Sequence, residues 1–424
     1  MRLPLLLAVV LVAGCDGAPA RSGNLGLASG EPVLPDTQTI DGVLVMRHGA
    51  DAFARAPVWT LDTVPQVVID GGEEFDLSGV PAPPIQLSGG RWVTLKAISG
   101  VELVLFDSTG HPIRLIAGMG SGPGELMRPQ LVASPGGDTL AVVDDANRTR
   151  NLYHPDHGLV SSDRFDGTVA LFCFRPGGWL PDGRAVAIGG CSSNRRSADG
   201  ELSTDTPLVL IAADMSSTDT VAMVPGAQMR MAEARSGSHR MMVPMWVRLG
   251  RATSVTTVDS AIVVASGVGG YVLELRDGTG RVTGRIEVDR PAVMVTDAMR
   301  EAVIALELER LSTYSEGGQM NPDAERMTRE GPIADTLPAY QAVFPGEGGL
   351  FWVMDHVLPG DTTWAATAFR ADGAIVARIR GSLTPGPYGA GPVAFLRDRV
   401  IMREADGDGV VRFGVYGVIG VGHR

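Results

Sequence analysis

The chain has 424 residues and a formal net charge of −12 at pH 7, with 48 acidic against 36 basic residues. No lysine- or arginine-rich cluster offsets that balance, which excludes nucleic acid as a partner and excludes electrostatic adhesion to anionic lipid. The 55 glycines and 28 prolines suit a fold built from many turns rather than a helical one.

The chain opens with Met1-Arg2, an apolar run from Leu3 to Val12, the small pair Ala13-Gly14, and Cys15. One positive charge, an apolar run too short to span a bilayer, and small residues before a cleavage point make residues 1–14 a secretory signal. Ala13-Gly14-Cys15 resembles the bacterial lipobox. The resemblance implies cleavage before Cys15 and lipidation of its thiol, so that a membrane becomes a partner through the acyl chains. An ordinary secretory signal followed by a coincidental cysteine is the alternative. Either way the expected address is the cell envelope, on the periplasmic or outer-surface side of a membrane. Residues 15–56 read as a tether and N-terminal segment, rich in Gly, Ala, Pro and Ser as far as Pro35.

From residue 84 a pattern of short apolar or alternating runs, bounded by Gly, Asp and Pro, recurs along the chain. The first unit reads Pro84–Leu87, Arg91–Leu95, Val101–Asp107 and Pro112–Ile116. The second reads Gln130–Ala133, Thr139–Asp144, Thr149–Tyr153 and Leu159 onward, and the third Gly178–Leu180, Arg184–Ile188, Leu208–Ala212 and Thr220–Val224. The fourth reads Ala252–Thr256, Ala261–Val264, Tyr271–Leu275 and Val282–Ile286. The fifth reads Tyr340–Phe344, Leu350–Asp355, Ala366–Phe369 and Ile375–Ile379. A last unit holds only Val393–Leu396, Arg399–Met402 and Val410–Val415.

A four-stranded unit repeated about every 40–50 residues predicts an all-β fold, a six-bladed β-propeller over residues 57–418, with a C-terminal tail at 419–424. Val58–Leu61 and Val64–Ile69 belong to no unit of their own. They can supply the strand that the last blade lacks and remove an open edge. Between the fourth and fifth units, residues 297–311 carry apolar side chains at helical spacing after Thr296, which predicts a helical insertion over about 296–338. It either packs over one end of the ring or gates it.

Gly118-Met119-Gly120-Ser121-Gly122-Pro123-Gly124-Glu125-Leu126, then Pro129 and Asp144-Asp145-Ala146-Asn147-Arg148, resembles the NHL repeat. The chain as a whole is similar to bacterial six-bladed propeller lipoproteins with NHL-like blades. Residues Gly122, Pro123, Gly124 and Glu125 would turn the chain between blades, Glu125 accepting backbone N–H bonds. Asp144 and Asn147 would hold the turn between second and third strands.

Candidate sites beyond that motif are few. Cys173 and Cys191 flank a predicted hairpin and can form a disulfide in an oxidising compartment, or remain two buried thiols. Met229, Met231, His239, Met241, Met242 and Met245 offer the soft donors Cu(I) prefers, but their spacing is irregular and methionine also fills gaps under loops. Asp406-Gly407-Asp408-Gly409 starts like a calcium loop and lacks the downstream glutamate. Asp355-His356 and the pair His154 and His157 read as solvated loop residues. No catalytic residue, metal site or cofactor is assigned. The expected role is a monomeric, membrane-anchored binding or scaffold module presenting one propeller face to a protein, peptide or glycan. The alternative is a lactonase-like hydrolase or lyase that uses the axial channel, with calcium.

Overall fold

The structure, a computed structural model, describes residues 30–72, 75, 77, 83–96, 100–136, 138–144, 146–164, 174–189, 193–196, 201–213, 217–236, 239–313, 321–383, 390–405 and 410–420. The secretory signal, Cys15, Cys173, Cys191, Thr384–Pro387 and Asp406–Gly409 lie outside the described residues. Among those described, no helix is long and apolar enough to cross a membrane.

The architecture is all-β and propeller-like. Strands Ile85–Gln86, Trp92–Lys96, Glu102–Phe106 and Pro112–Ala117 form one antiparallel sheet, and Pro129–Gly136, Thr139–Asp144, Thr149–His154 and Gly158–Arg164 form the next. The third sheet, built on Phe174–Trp179, Ala185–Gly189, Glu201–Ile211 and Thr218–Pro225, carries an added hairpin, Met229–Ser236 with His239–Trp246. The fourth runs Ser254–Val258, Ala261–Ala265, Tyr271–Arg276, Val282–Val288 and the fifth Ala342–Pro345, Leu350–Met354, Thr363–Arg370, Ile375–Ser382. The first strands of the third, fourth, fifth and last units approach one another in sequence, which places them innermost. None of these inner strands contains Asp, Glu or His, as read from their residues.

Two N-terminal segments join sheets formed much later in the chain. Val67–Ile69 pairs antiparallel with Val411–Ile419, Ile69 opposite Phe413 and Val67 opposite Val415, beside Arg399–Ala405 and Gly391–Phe395. Val58–Leu61 does something else: it runs parallel to Ile375–Ser382 and touches the end of Val411–Ile419, bridging the fifth sheet to the last. The hairpin Asp36–Ile40 and Val43–His48 turns on Asp41 and Gly42, both at positive φ, as a two-residue hairpin requires. Its second strand lies parallel to Val282–Val288, so the fourth sheet takes in residues upstream of 57.

Apolar residues sit in seams between neighbouring sheets. Leu95, Leu103, Leu126 and Val142 join the first two, and Val143, Ala187 and Val209 the second and third. Ile188, Leu210, Ile262 and Val264 join the third and fourth. The fourth, the N-terminal hairpin and the fifth meet around Met46, Leu273, Ile286 and Phe351. Trp59, Trp352, Ile379 and Phe395 join the fifth to the last. Trp92 and Phe106 pack on Ile69, Ile401 and Phe413, joining last to first. Each large side chain so buried stabilises by about 1.5–3 kcal/mol relative to exposure.

A recurring turn reinforces these seams. Asp107 accepts from Thr109 N at 2.8 Å and His111 N at 3.0 Å, and Asp277 accepts from Thr279 N at 2.9 Å and Arg281 N at 3.2 Å. The glycines that close them, Gly110 and Gly280, have φ of +94° and +82° and rest on Val68 and Val221 of the neighbouring sheet. In the fifth unit Gly373 rests instead on Met46 of the N-terminal hairpin.

Helix α1 (Ala52–Arg55) lies in the N-terminal segment; α2 (Asp297–Thr313) and α3 (Pro322–Glu330) occupy the stretch between fourth and fifth sheets. Both α2 and α3 lie within the stretch 296–338 where the sequence predicts a helical insertion. The start of α3 is set by Asn321, whose side chain accepts from Asp323 N at 2.9 Å, with proline at the first turn.

Candidate functional site

In an antiparallel sheet the second strand ends where the first begins, so the turn after a second strand meets the crossover that enters the sheet. The NHL-like stretch shows this meeting in detail. Asp144 ends its strand fully buried and accepts from the backbone N–H of Met127, of Arg128 at 3.2 Å, and of Ala146 and Asn147 at 3.0 Å. Asn147 donates to Gly120 O at 2.9 Å and Glu125 O at 3.2 Å. Glu125 accepts from Gly122 N at 2.8 Å, and a Cβ on Gly120 would strike its carboxylate. Gly124 sits at φ +75°, and its carbonyl accepts from the Tyr153 hydroxyl at 2.9 Å. Pro123 lies inside the same turn. These residues are brought together, and the side chains of Glu125, Asp144 and Asn147 all bond to backbone groups.

Asp355 holds the corresponding place at the end of the fifth unit's second strand, but the crossover there is replaced by the long stretch bearing α2 and α3. Its carboxylate therefore faces guanidinium groups: Arg290 Nη1 at 2.7 Å and Arg378 Nη2 at 2.5 Å. Arg290 also donates to Ala339 O at 3.2 Å. Phe53 of α1 packs under both cations, 4.9 Å from Arg378 and 5.7 Å from Arg290, and crosses Tyr271 edge-on.

These groups form one wall of a cleft of ≈ 640 Å³ between the fourth and fifth sheets, a size that suits a small organic ligand. Arg251 and Arg380 also line it, so four arginines face two aspartates, Asp355 and Asp361. Asp361 is tied to its own turn, accepting from Leu358 N at 2.8 Å. His356 lines the cleft too, although its sequence position reads as a solvated loop. Burial pushes its imidazole below the ordinary value, against the pull of Asp355 and of the Pro338 and Tyr340 backbone, and leaves the ring neutral at pH 7. Its Nε2 is buried without a partner among the described residues, as is the Tyr271 hydroxyl nearby.

The remaining sequence candidates do not converge. Strand pairing puts Met229, Met231 and Met242 on one face of their hairpin and Met241 and Met245 on the other. His154 and His157 stack at 4.6 Å, and His154 Nδ1 accepts from Asp156 N at 3.1 Å. Among the described residues no three His, Cys, Asp or Glu side chains gather as a metal-binding group. The arginine cleft itself escapes the sequence because its residues come from segments far apart, each arginine unremarkable in its own strand or loop.

No protein-family model matches the chain, and no curated protein matches it in sequence. Its backbone is similar to that of a DUF4221-family protein from Bacteroides vulgatus, with a TM-score of 0.50 at 10% identity over 85% of this chain and 98% of that one. It is similar also to a protein of Bacteroides fragilis described as exported, with a TM-score of 0.44 at 11% identity over 88% of this chain and 99% of the other. The calcium-binding protein regucalcin from Agrobacterium tumefaciens matches with a TM-score of 0.37 at 12% identity over 86% of this chain and 97% of its own. The class is that of the propeller proteins. At these identities the likeness speaks of fold alone.

Proposed function

We propose that this chain is an extracytoplasmic binding module, a closed six-bladed ring anchored through a lipid on Cys15, whose cleft between the fourth and fifth blades receives an anionic ligand on a protein, peptide or glycan. Closure of the ring is supported by the pairing of Ile69 with Phe413 and by the seam that packs Trp92 on Phe413. The anchor is supported by the apolar run that ends in Ala13-Gly14-Cys15.

One observation carries the ligand reading. Four arginines converge in a cleft with two aspartates, in a chain whose net charge is −12. Collecting like charges in one place does not stabilise a fold, whereas a cleft of one sign focuses a counter-charged ligand. A thermal-shift screen of small anions and cations at fixed ionic strength tests it. Anions should raise the melting temperature, the shift should shrink with added salt, and Arg380→Glu should abolish it. Equal response to cations, or an unchanged response in Arg380→Glu, would overturn the reading. For the anchor, Cys15→Ser should release the protein from membranes into the soluble fraction; continued acylation would refute it.

A further inference from the structure

We infer that the cleft takes an amphipathic anion: an acidic group held on Arg380, carried on an alkyl or aryl body that lies against the wall supplied by the stretch between the fourth and fifth sheets. The inference rests on the anionic reading above and narrows it to acids with an apolar body.

The cleft has two unlike sides. The fourth and fifth sheets and their flanking loops bring every charged lining group, the four arginines with Asp355 and Asp361. The stretch from 291 to 338 brings Pro291, Ala292, Val293, Met299, Leu337 and Pro338, with Thr336 the only polar side chain it adds among the described residues. Pairing fixes that side in place. Val293–Met294 runs antiparallel to Thr336–Leu337, which sets Val293 opposite Leu337 on one face. Val295 N donates to Asp335 O at 2.9 Å, and Arg300 of α2 reaches the Asp335 carboxylate at 2.9 Å, fastening the helix to the same ladder. Thr296 accepts from Met299 N at 3.3 Å and sets the first turn that presents Met299. Val293 is nevertheless 44% exposed, and Pro291 and Ala292 before it are exposed as well.

Such a wall selects by what it cannot offer. Hydroxyls or amides pressed against it lose their water and gain no bond in return, whereas alkyl or aryl surface is driven onto it by leaving water. The opposite side supplies the charge. Arg290 and Arg378 each hold one oxygen of Asp355. Arg380 is exposed, and its guanidinium makes no hydrogen bond or ion pair to a described residue, so its fork is the one left open to an acid. A cleft of ≈ 640 Å³ puts that fork and the apolar wall within reach of one small ligand.

Calorimetric titration of the full chain carrying Cys15→Ser, purified without competing detergent, tests this with acetate, isocaproate, isocaproamide and N-acetyl-L-leucine at matched ionic strength. Isocaproate should bind at least about tenfold more tightly than acetate and than the uncharged amide, a difference of about 1.4 kcal/mol. Val293→Ser combined with Leu337→Ser should cut its advantage over acetate to about threefold or less and leave acetate affinity unchanged. Arg380→Ala should weaken acetate and isocaproate alike, by about tenfold. N-acetyl-L-leucine places the same branched side chain beside a peptide carboxyl end. Its binding more tightly than isocaproate assigns a peptide terminus as the source of the acid, and equal or weaker binding assigns a free lipophilic acid. Acetate binding as tightly as isocaproate would overturn the apolar-body inference while leaving the anionic cleft standing. The amide binding as tightly as the acid would overturn both, as would no binding by any probe. An isocaproate advantage unchanged in the Val293→Ser, Leu337→Ser variant would overturn the assigned wall.

Discussion

Replacing Asp144 tests the physical account of the blade-to-blade crossover most directly. Its buried carboxylate collects four backbone N–H groups, two from the incoming crossover and two from its own turn. In Asp144→Ala all four lose their acceptor. Bonds to a charged acceptor contribute about 1.5–3 kcal/mol each, and the freed donors at this half-covered edge recover part of that from water. The net expectation is a loss of about 3–5 kcal/mol, a large fraction of the total stability of a typical domain. Asp144→Asn separates charge from shape. One oxygen remains to serve Ala146 and Asn147, while an amide group now points donors at the donors of Met127 and Arg128, so about half the loss should persist. The assay is urea unfolding followed by far-ultraviolet circular dichroism, with the midpoint read at constant slope. Asp144→Ala costing less than about 1 kcal/mol would refute the reasoning, because it would mean that the crossover is held by its glycines and prolines rather than by this carboxylate.

Three further outcomes follow from the same structure. His48 donates from Nε2 to Gly373 O at 2.8 Å, and burial holds its pKa below the ordinary value of 6.5. The unfolded chain therefore binds the extra proton first, so stability contributed by the neutral ring is complete above pH 6.5 and is lost as pH falls toward the folded value. His48→Gln should flatten the fall in urea midpoint below that pH, and an unchanged pH profile would count against the assignment. Gly280→Ala combines φ +82° with a Cβ 2.4 Å from Val221 O, whereas Gly42→Ala has φ +79° and open space. Melting curves should show Gly42→Ala costing about 1 kcal/mol and Gly280→Ala clearly more, the excess measuring how tightly neighbouring sheets abut. Asp355→Asn should leave Arg290 and Arg378 without their counter-charge and tighten phosphate binding by about tenfold in calorimetry; weaker binding would mean that the carboxylate positions the cations rather than competing with the ligand.

The ordinary blades are legible in the sequence because their physics is local. Alternating strands such as Tyr271–Arg276 and Asp-Gly turns such as Asp277–Gly280 carry their own geometry in adjacent residues. The hairpin at residues 36–48 does not read as part of a sheet, since its membership depends on parallel pairing with Val282–Val288 and no short-range signal announces such a partner. Helix α3 is hard to see because it buries no residue, although Asn321-Pro322-Asp323 is a sound start signal. Of the candidate site, the motif around Asp144 and Asn147 is visible as a string of turn-forming residues. The cleft is not, because Arg251, Arg290, Arg378 and Arg380 converge only after the fourth and fifth sheets have packed.

The pairing of Val67–Ile69 with Phe413–Val415 has a kinetic meaning for a chain synthesised from its N-terminus. The strand that completes the last sheet is among the first to emerge, and its partner is among the last. Whatever early sheets form during synthesis, Ile69 and the seam it shares with Trp92 stay open until Phe413 arrives. Pairing across nearly the whole sequence is slow, because the loop-closure entropy is lost before the contacts form. The first and last sheets thus join only once the chain is nearly complete, and a product truncated before Phe413 keeps an open apolar edge.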